Sequence, residues 1–425
     1  MEGDSAVRPV RWAVPFFIIW TGQALSLVGT RIGQFALVWW VTETTGSATI
    51  LATAPMMAIL PGVLGGPFAG ALVDRWSRRR VMIVADGFIA LVGAWVAYLF
   101  WSGTMEVWHI YVVVVARAVG EIFHGPAMQA STSLMVPQEH LPRVAGINQT
   151  LYGGLNVVAP PLGALLLSVL PMHEIMAIDV VTAGFAILPL FFIHVPQPQR
   201  EDGGASGVLT DVREGLRYIW RWTGLRGLCV LAMVLNFIVS PAVFLMPILV
   251  TRHFGGEALQ LGWLNSAWGA GLVLGGLLLG TWGGFKRRAT TMLVGIIGLG
   301  VGLVVVAATP SDLFPLALAG LFFGAVMNAL CNGSAMALMQ QVVAPQIQGR
   351  VFTVVGSLCG GMMPLSMAIA GPLADQVGIR WLFLVGGAAQ ILMGLGAFRV
   401  RSIMGIESQV GAGFQKGEVG GQAGD

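Results

Sequence analysis

Gly65-Gly66-Pro67-Phe68-Ala69-Gly70-Ala71-Leu72-Val73-Asp74-Arg75-Trp76-Ser77-Arg78-Arg79-Arg80 is the stretch on which the fold turns. It begins inside an apolar run that opens near residue 48, and its last seven residues hold five charges before apolar sequence resumes at Val81. In a chain of 425 residues that is 56% hydrophobic and only 10% charged, so abrupt a burst marks a helix leaving a bilayer. Soluble domains carry roughly a quarter charged residues, and 10% could not cover a water-exposed surface. The 59 glycines suit helices that pack closely in lipid.

A crossing helix needs about 20 mostly apolar residues. Working outward from the charged loop, that requirement predicts twelve spans, near 13–41, 48–72, 81–101, 107–131, 144–169, 174–194, 227–250, 258–282, 289–308, 312–340, 350–374 and 379–398. The first follows Arg8 and Arg11 without a small-residue cleavage site, which reads as a retained helix and not a removed signal. The basic residues then orient the chain. Of 23 Lys and Arg, only Arg252 and Arg380 fall on one side, Arg31 and Arg117 fall within spans, and the rest share the other side. The positive-inside rule puts that side, with both termini, in the cytoplasm of a bacterial inner membrane.

The glycine pattern at the head of the quoted stretch recurs. Gly65-Gly66-x-x-x-Gly70 returns as Gly275-Gly276-x-x-x-Gly280, Gly125-Pro126-Ala127-Met128 as Gly333-Ser334-Ala335-Met336, and Arg143-Val144 as Arg350-Val351, all about half a chain later. The expected architecture is an all-α membrane protein of two six-helix pseudo-symmetric halves, 13–194 and 227–398. Duplicated halves place a substrate site between them near the midplane. The expected flanks are a cytoplasmic segment 1–12 and a polar tail 399–425, read as disordered. Between the halves, 195–226 reads as a cytoplasmic linker. Asp211 and Glu214 form a possible capping box there, and Arg213, Arg217 and Arg221 make one stripe of a short helix on the membrane surface.

Gly70-x-x-x-Asp74-Arg75-x-Ser77-Arg78-Arg79 resembles the signature loop of the major facilitator superfamily, with Ser77 where the family usually has glycine. Trp20-x-Gly22-Gln23, Thr45-Gly46-Ser47-Ala48, Arg117-x-x-Gly120 with Phe123-His124-x-Pro126, Ala177-Ile178-Asp179-Val180 and Gly349-Arg350-Val351-Phe352 extend the likeness to its macrolide-efflux branch, over roughly 11–400. That branch is also similar to siderophore exporters. The resemblance implies the major facilitator fold. It also implies a cytoplasmic gate of Gly70, Asp74, Arg75, Arg78, Arg79 and Arg350, with the start of span eleven as partner of Asp74. The competing reading is that the loop arginines only enforce topology. Gly154, Pro160, Pro161 and Gly163 resemble the antiporter element of span five, with two of its glycines replaced.

Ionisable residues inside spans are costly and functional by default. Arg117 and Glu121 are four apart, with His124 three further on, so all three share a face of span four and the first two can pair. The repeat carries Ala325, Ala329 and Asn332 at the equivalent positions, so the scaffold alone does not need the charges. Protonation of Glu121 would release Arg117, which suits proton coupling; a static ion pair is the alternative. Arg31 could meet Glu121, bind substrate or reach the outer interface. Asp179 is read as a coupling or structural group, and Asp86 as a gating residue paired with the loop arginines.

Chemistry of other kinds is poorly represented. No P-loop is present, the six histidines do not cluster, and Cys229, Cys331 and Cys359 lie in apolar runs without a disulfide pattern. A net charge of +3 does not suggest nucleic acid. No enzyme activity, metal or cofactor is expected. The reading is a monomeric secondary-active exporter of a hydrophobic small molecule, a macrolide or another drug-like compound, exchanged for protons. A siderophore or metabolite exporter, an importer of the same fold, and a non-transporting sensor are the alternatives.

Overall fold

A computed structural model describes residues 12–193, 195–196, 208–343 and 347–407; the side chains of residues 63, 66–68, 70, 71, 74, 75, 142, 208–212, 214, 215 and 349 also lie outside that description, and with them the expected Asp211–Glu214 capping box. The helices are α1 (Ala13–Thr45), α2 (Ala48–Arg75), α3 (Arg78–Trp101), α4 (Val107–Met135), α5 (Leu141–Val169), α6 (Met172–Phe192), α7 (Val208–Arg221), α8 (Thr223–Phe244), α9 (Met246–Arg252), α10 (Ala258–Trp282), α11 (Arg288–Ala308), α12 (Phe314–Val342), α13 (Gln348–Val377), α14 (Ile379–Arg399) and α15 (Arg401–Met404). No strand occurs among the described residues. Eleven of these helices are long and apolar enough to cross a bilayer. The twelfth is α2, whose 28 residues at 1.5 Å each reach about 42 Å. Expectations for residues 1–11, for 197–207 of the linker and for the tail from 408 fall outside the described residues.

One span is not the single helix expected. Residues 227–250 are divided between α8 and α9, with the break at Leu245. Pro247 is the cause: it has no N–H for the Val243 carbonyl, and its ring would strike that carbonyl in a continuous helix. The chain restarts with Pro247 in the first turn of α9, where the missing donor costs nothing.

Contacts divide the chain into two compact units. The first takes in α1 to Leu37, α2 from Met57, α3, α4, α5 to Leu155 and again from Leu165, and α6. The second takes in Val38–Met56, Asn156–Ala164 and the described chain from α7 onward. In the first, α3 packs on α4 and α6, and Ile19, Val73, Val81, Met82, Ala127 and Leu190 form an apolar cluster near the charged loop. In the second, α11 is the most enclosed span, packed on α12 and α14. Backbone meets backbone there. A Cβ added to Gly302 would lie 2.6 Å from the Gly320 carbonyl oxygen and 2.7 Å from the Gly324 Cα. The small residues therefore set the α11–α12 spacing, as is usual where no hydrophobic drive separates helix from lipid.

In the second unit α7 turns Ile219 into a cluster with Leu225, Val351 and Val354, so it is docked on α8 and α13. Arg213, Arg217 and Arg221 remain exposed, with Leu216 and Trp220 exposed on the same face.

Candidate functional site in the polar interior of the first unit

Arg117, at mid-length in α4, forms an ion pair with Asp179 of α6 and not with Glu121. Its reach across to α6 has a steric basis. Gly93 of α3 leaves the space: a Cβ there would lie 3.4 Å from Arg117 Nη2 and 3.6 Å from Asp179 Oδ2. Gly29 and Gly33 of α1 face Asp179 from the other side, and the hydroxyl of Thr30 donates to Asp179 Oδ1 at 2.9 Å. Asp179 is only 4% exposed. A charge at the centre of a membrane helix costs about 2.5–3.5 kcal/mol, so two placed together must neutralise one another. The pair joins α1, α4 and α6 through one carboxylate.

A second buried group lies towards the cytoplasmic end. Asp86 of α3, expected beside the loop arginines, instead meets His124 and Gln23. His124 Nε2 is 3.2 Å from Asp86 Oδ1, and the Gln23 amide of α1 donates to Asp86 Oδ2 at 2.9 Å. Arg78 and Arg79 go elsewhere, to backbone carbonyls of α4 and α6. Arg78 donates to the Ala130 carbonyl near the end of α4 at 2.8 Å, and Arg79 donates to the Leu190 and Phe191 carbonyls in the last turn of α6. The last-turn carbonyls that Arg79 meets lack helical partners and carry the negative end of the dipole.

Glu121 and Arg31 stand apart from these pairs. Glu121 is exposed, Arg31 half-buried, and neither has an ion-pair partner among the described residues. Arg117, Glu121 and His124 do share one face of α4, but the structure gives each a different surrounding. Arg350 is the third residue of α13. The fourth-span pattern identified the face; the partners Asp179 and Asp86 come from helices 62 and 38 residues away, and only the matching glycines 29, 33 and 93 hint at the first.

Of the antiporter-like element, Pro160, Pro161 and Gly163 lie in the second unit and Gly154 in the first. Pro161 cannot supply an N–H to the Val157 carbonyl, and Ser266 of α10 donates its hydroxyl to that oxygen at 2.7 Å. Gly262 allows the approach: its added Cβ would be 3.1 Å from Pro161 Cα and 3.3 Å from the Pro160 oxygen. Gly154 faces open space. Asn236, Asn265 and Asn332 bond carbonyls one turn back in their own helices, so they bridge no helices.

Twelve apolar helices with paired charges inside define a multi-pass membrane protein, and its family and relatives make it a transporter of a small molecule and not an enzyme. The sequence matches the family described as transmembrane secretion effector over residues 4–412, and the chain belongs to that family, within the major facilitator superfamily. It is 31% identical over 385 residues to macrolide efflux protein A of Streptococcus pyogenes, covering 90% of this chain and 95% of that one. It is 28% identical over 400 residues to the multidrug efflux pump Tap of Mycolicibacterium fortuitum, covering 90% and 94%. Among solved structures, a bacterial homologue of the human lysosomal transporter Spinster matches with a TM-score of 0.65 at 14% identity, covering 96% of this chain and 98% of that one. The nucleoside transporter NupG matches with a TM-score of 0.70 at 10% identity, covering 89% and 98%. These two likenesses show the fold alone.

Proposed function

We propose that this chain exports drug-like hydrophobic molecules, macrolides among them, from the bacterial cytoplasm across the inner membrane by alternating access, in exchange for protons. The observation that carries the proton half is the Asp86–His124 pair. It is a buried acid 3.2 Å from a half-buried histidine, held by a neutral Gln23 instead of a permanent cation. A proton taken up by Asp86 removes its negative charge and weakens the bond it accepts from Gln23. Arg117–Asp179 is different in kind, because Arg117 keeps its charge at any physiological pH. It serves as the static clamp of α1, α4 and α6. Glu121, exposed and without an ion-pair partner among the described residues, is the acid available to a cationic or neutral substrate.

The names of the relatives support efflux, and the antiporter-like element in α5 supports exchange. Gly70, Asp74, Arg75 and Arg350 form the cytoplasmic gate in this reading, and Arg78 and Arg79 anchor it to α4 and α6. Both termini are cytoplasmic and α7 lies on the inner leaflet in this reading, which the distribution of basic residues supports. One chain holds both halves, so it works as a monomer without a cofactor.

The test is uptake of a macrolide and of a lipophilic cationic dye into vesicles of known orientation. Inside-out vesicles with an acidic lumen should accumulate both, and a protonophore should release them. Accumulation confined to right-side-out vesicles would make the chain an importer. The Asp86→Asn variant should bind the macrolide yet lose its response to the pH gradient.

A further inference from the structure

One charged surface of the second unit has no part in the site described above. Helix α7 joins the membrane span α8 through a single residue, Trp222, so its C-terminal end is held where α8 leaves the bilayer. Its roll is fixed as well. Ile219 is fully buried against Leu225, Val351 and Val354, and half-buried Trp222 packs on the same cluster.

With level and roll set, the order of residues around α7 has a meaning. Counting about 100° per residue from Ile219, Leu216 and Trp220 lie at roughly 60° and 100°. Arg213, Arg217 and Arg221 follow at roughly 120°, 160° and 200°, and half-buried Tyr218 closes the circuit near 260°. The exposed arc therefore has an apolar edge and a basic edge side by side. Leu216 is 39% and Trp220 57% exposed, and none of the three arginines has an ion-pair partner among the described residues.

Water is a poor medium for the first edge, and hydrocarbon is a poor medium for the second. The boundary of a bilayer suits both: Leu216 and Trp220 dip among the acyl chains while the arginines stand at the headgroups. Successive arginines are about 6 Å apart along the helix axis, and each guanidinium takes two oxygens of a phosphate at once. A zwitterionic headgroup weakens that attraction with its own ammonium; an anionic one does not. An acidic protein would also meet the charges. The one-residue joint to a membrane span favours lipid, because it sets the bilayer beside α7 permanently.

We propose that the exposed arc of α7 is a binding site for anionic phospholipid headgroups, held by Arg213, Arg217 and Arg221, with Leu216 and Trp220 seated in the acyl boundary. The site rests on the topology of the export reading, which lays α7 on the inner leaflet, and not on the direction of transport. Each engaged arginine should favour an anionic over a zwitterionic lipid by about fivefold.

The experiment uses the full chain in nanodiscs of equal parts phosphatidylglycerol and phosphatidylcholine. Cys229, Cys331 and Cys359 are replaced, and a fluorophore is attached at Leu216→Cys. A trace of acyl-chain nitroxide, carried on one lipid or the other, quenches it according to which lipid is the neighbour. Phosphatidylglycerol should quench several-fold more strongly, and the preference should shrink as salt is raised. Replacing all three arginines by Gln should abolish the preference; replacing them by Lys should retain part of it, because the charge stays while the fork is lost. Arg399→Gln with Arg401→Gln, exposed at the end of α14, should leave it intact. If the triple Gln variant folds poorly, Arg217→Gln alone should lower the preference by about fivefold. Equal quenching by both lipids in the parent, or a preference that survives the triple Gln variant, would overturn the proposal. Quenching by aqueous iodide and by neither lipid would also overturn it, and would give the face to a soluble partner. A protein that prefers phosphatidylglycerol but moves no macrolide would keep the site and remove the export reading. One that moves macrolide without a lipid preference would remove the site alone.

Discussion

Breaking the Arg117–Asp179 pair should be far more harmful than removing it entirely. Asp179→Asn keeps the shape and the Thr30 contact but leaves Arg117 uncompensated, with its side chain only 17% exposed. Losing one partner of a buried pair costs about 3–5 kcal/mol; the partial exposure of Arg117 puts this variant at the lower end, roughly a hundredfold in the folding equilibrium. Arg117→Met leaves the carboxylate, more deeply buried than its partner, and belongs at the upper end. The double variant has no buried charge at this point and should lie within about 1 kcal/mol of the parent, since neutral replacement of a buried pair is often harmless. Unfolding in mixed micelles, followed by fluorescence of the 14 tryptophans, reads all four proteins. If the double variant instead costs the sum of the singles to within about 0.5 kcal/mol, the two residues act independently and the clamp is wrong.

Other outcomes follow from the packing. Ser266→Ala should destabilise by about 1–3 kcal/mol by orphaning the Val157 carbonyl, and Pro161→Ala, which restores an N–H, should recover much of it; a loss untouched by Pro161→Ala would refute the bond's role. Gly302→Ala should fold poorly because its Cβ meets the Gly320 carbonyl, whereas Gly276→Ala, facing open space, should be neutral or stabilising by up to about 1 kcal/mol; thermal melts in detergent compare them. Gln390 is fully buried in α14, and neither of its amide atoms finds a partner among the described residues. Gln390→Leu should therefore be neutral or raise the melting temperature; a fall worth more than about 1 kcal/mol would reveal a hidden partner.

Much of this fold was legible because a bilayer permits so few structures. Charge bursts such as 74–80 and apolar runs of fixed length predict the crossings, and most helix ends lie within a few residues of expectation. The α8–α9 break escaped because apolar sequence continues through it, although Pro247 was the available signal. Site residues were legible by type and less so by partner. An arginine in a span must find a carboxylate, but Glu121 was preferred for its nearness in sequence, and Asp179 prevails because Gly29, Gly33 and Gly93 clear a space around it. Asp86 was drawn to the loop arginines by charge, while Arg78 bonds a carbonyl of α4 and Arg79 the open last-turn carbonyls of α6.

Proton coupling through Asp86 and His124 is tested most directly by watching protons while the substrate moves. Proteoliposomes loaded with macrolide, containing a pH-sensitive dye and starting without a pH gradient, should acidify inside as the macrolide leaves. Asp86→Asn vesicles, which should still bind the macrolide, should show no acidification. Macrolide leaving through the wild-type protein while luminal pH stays at the level of protein-free vesicles would contradict proton exchange.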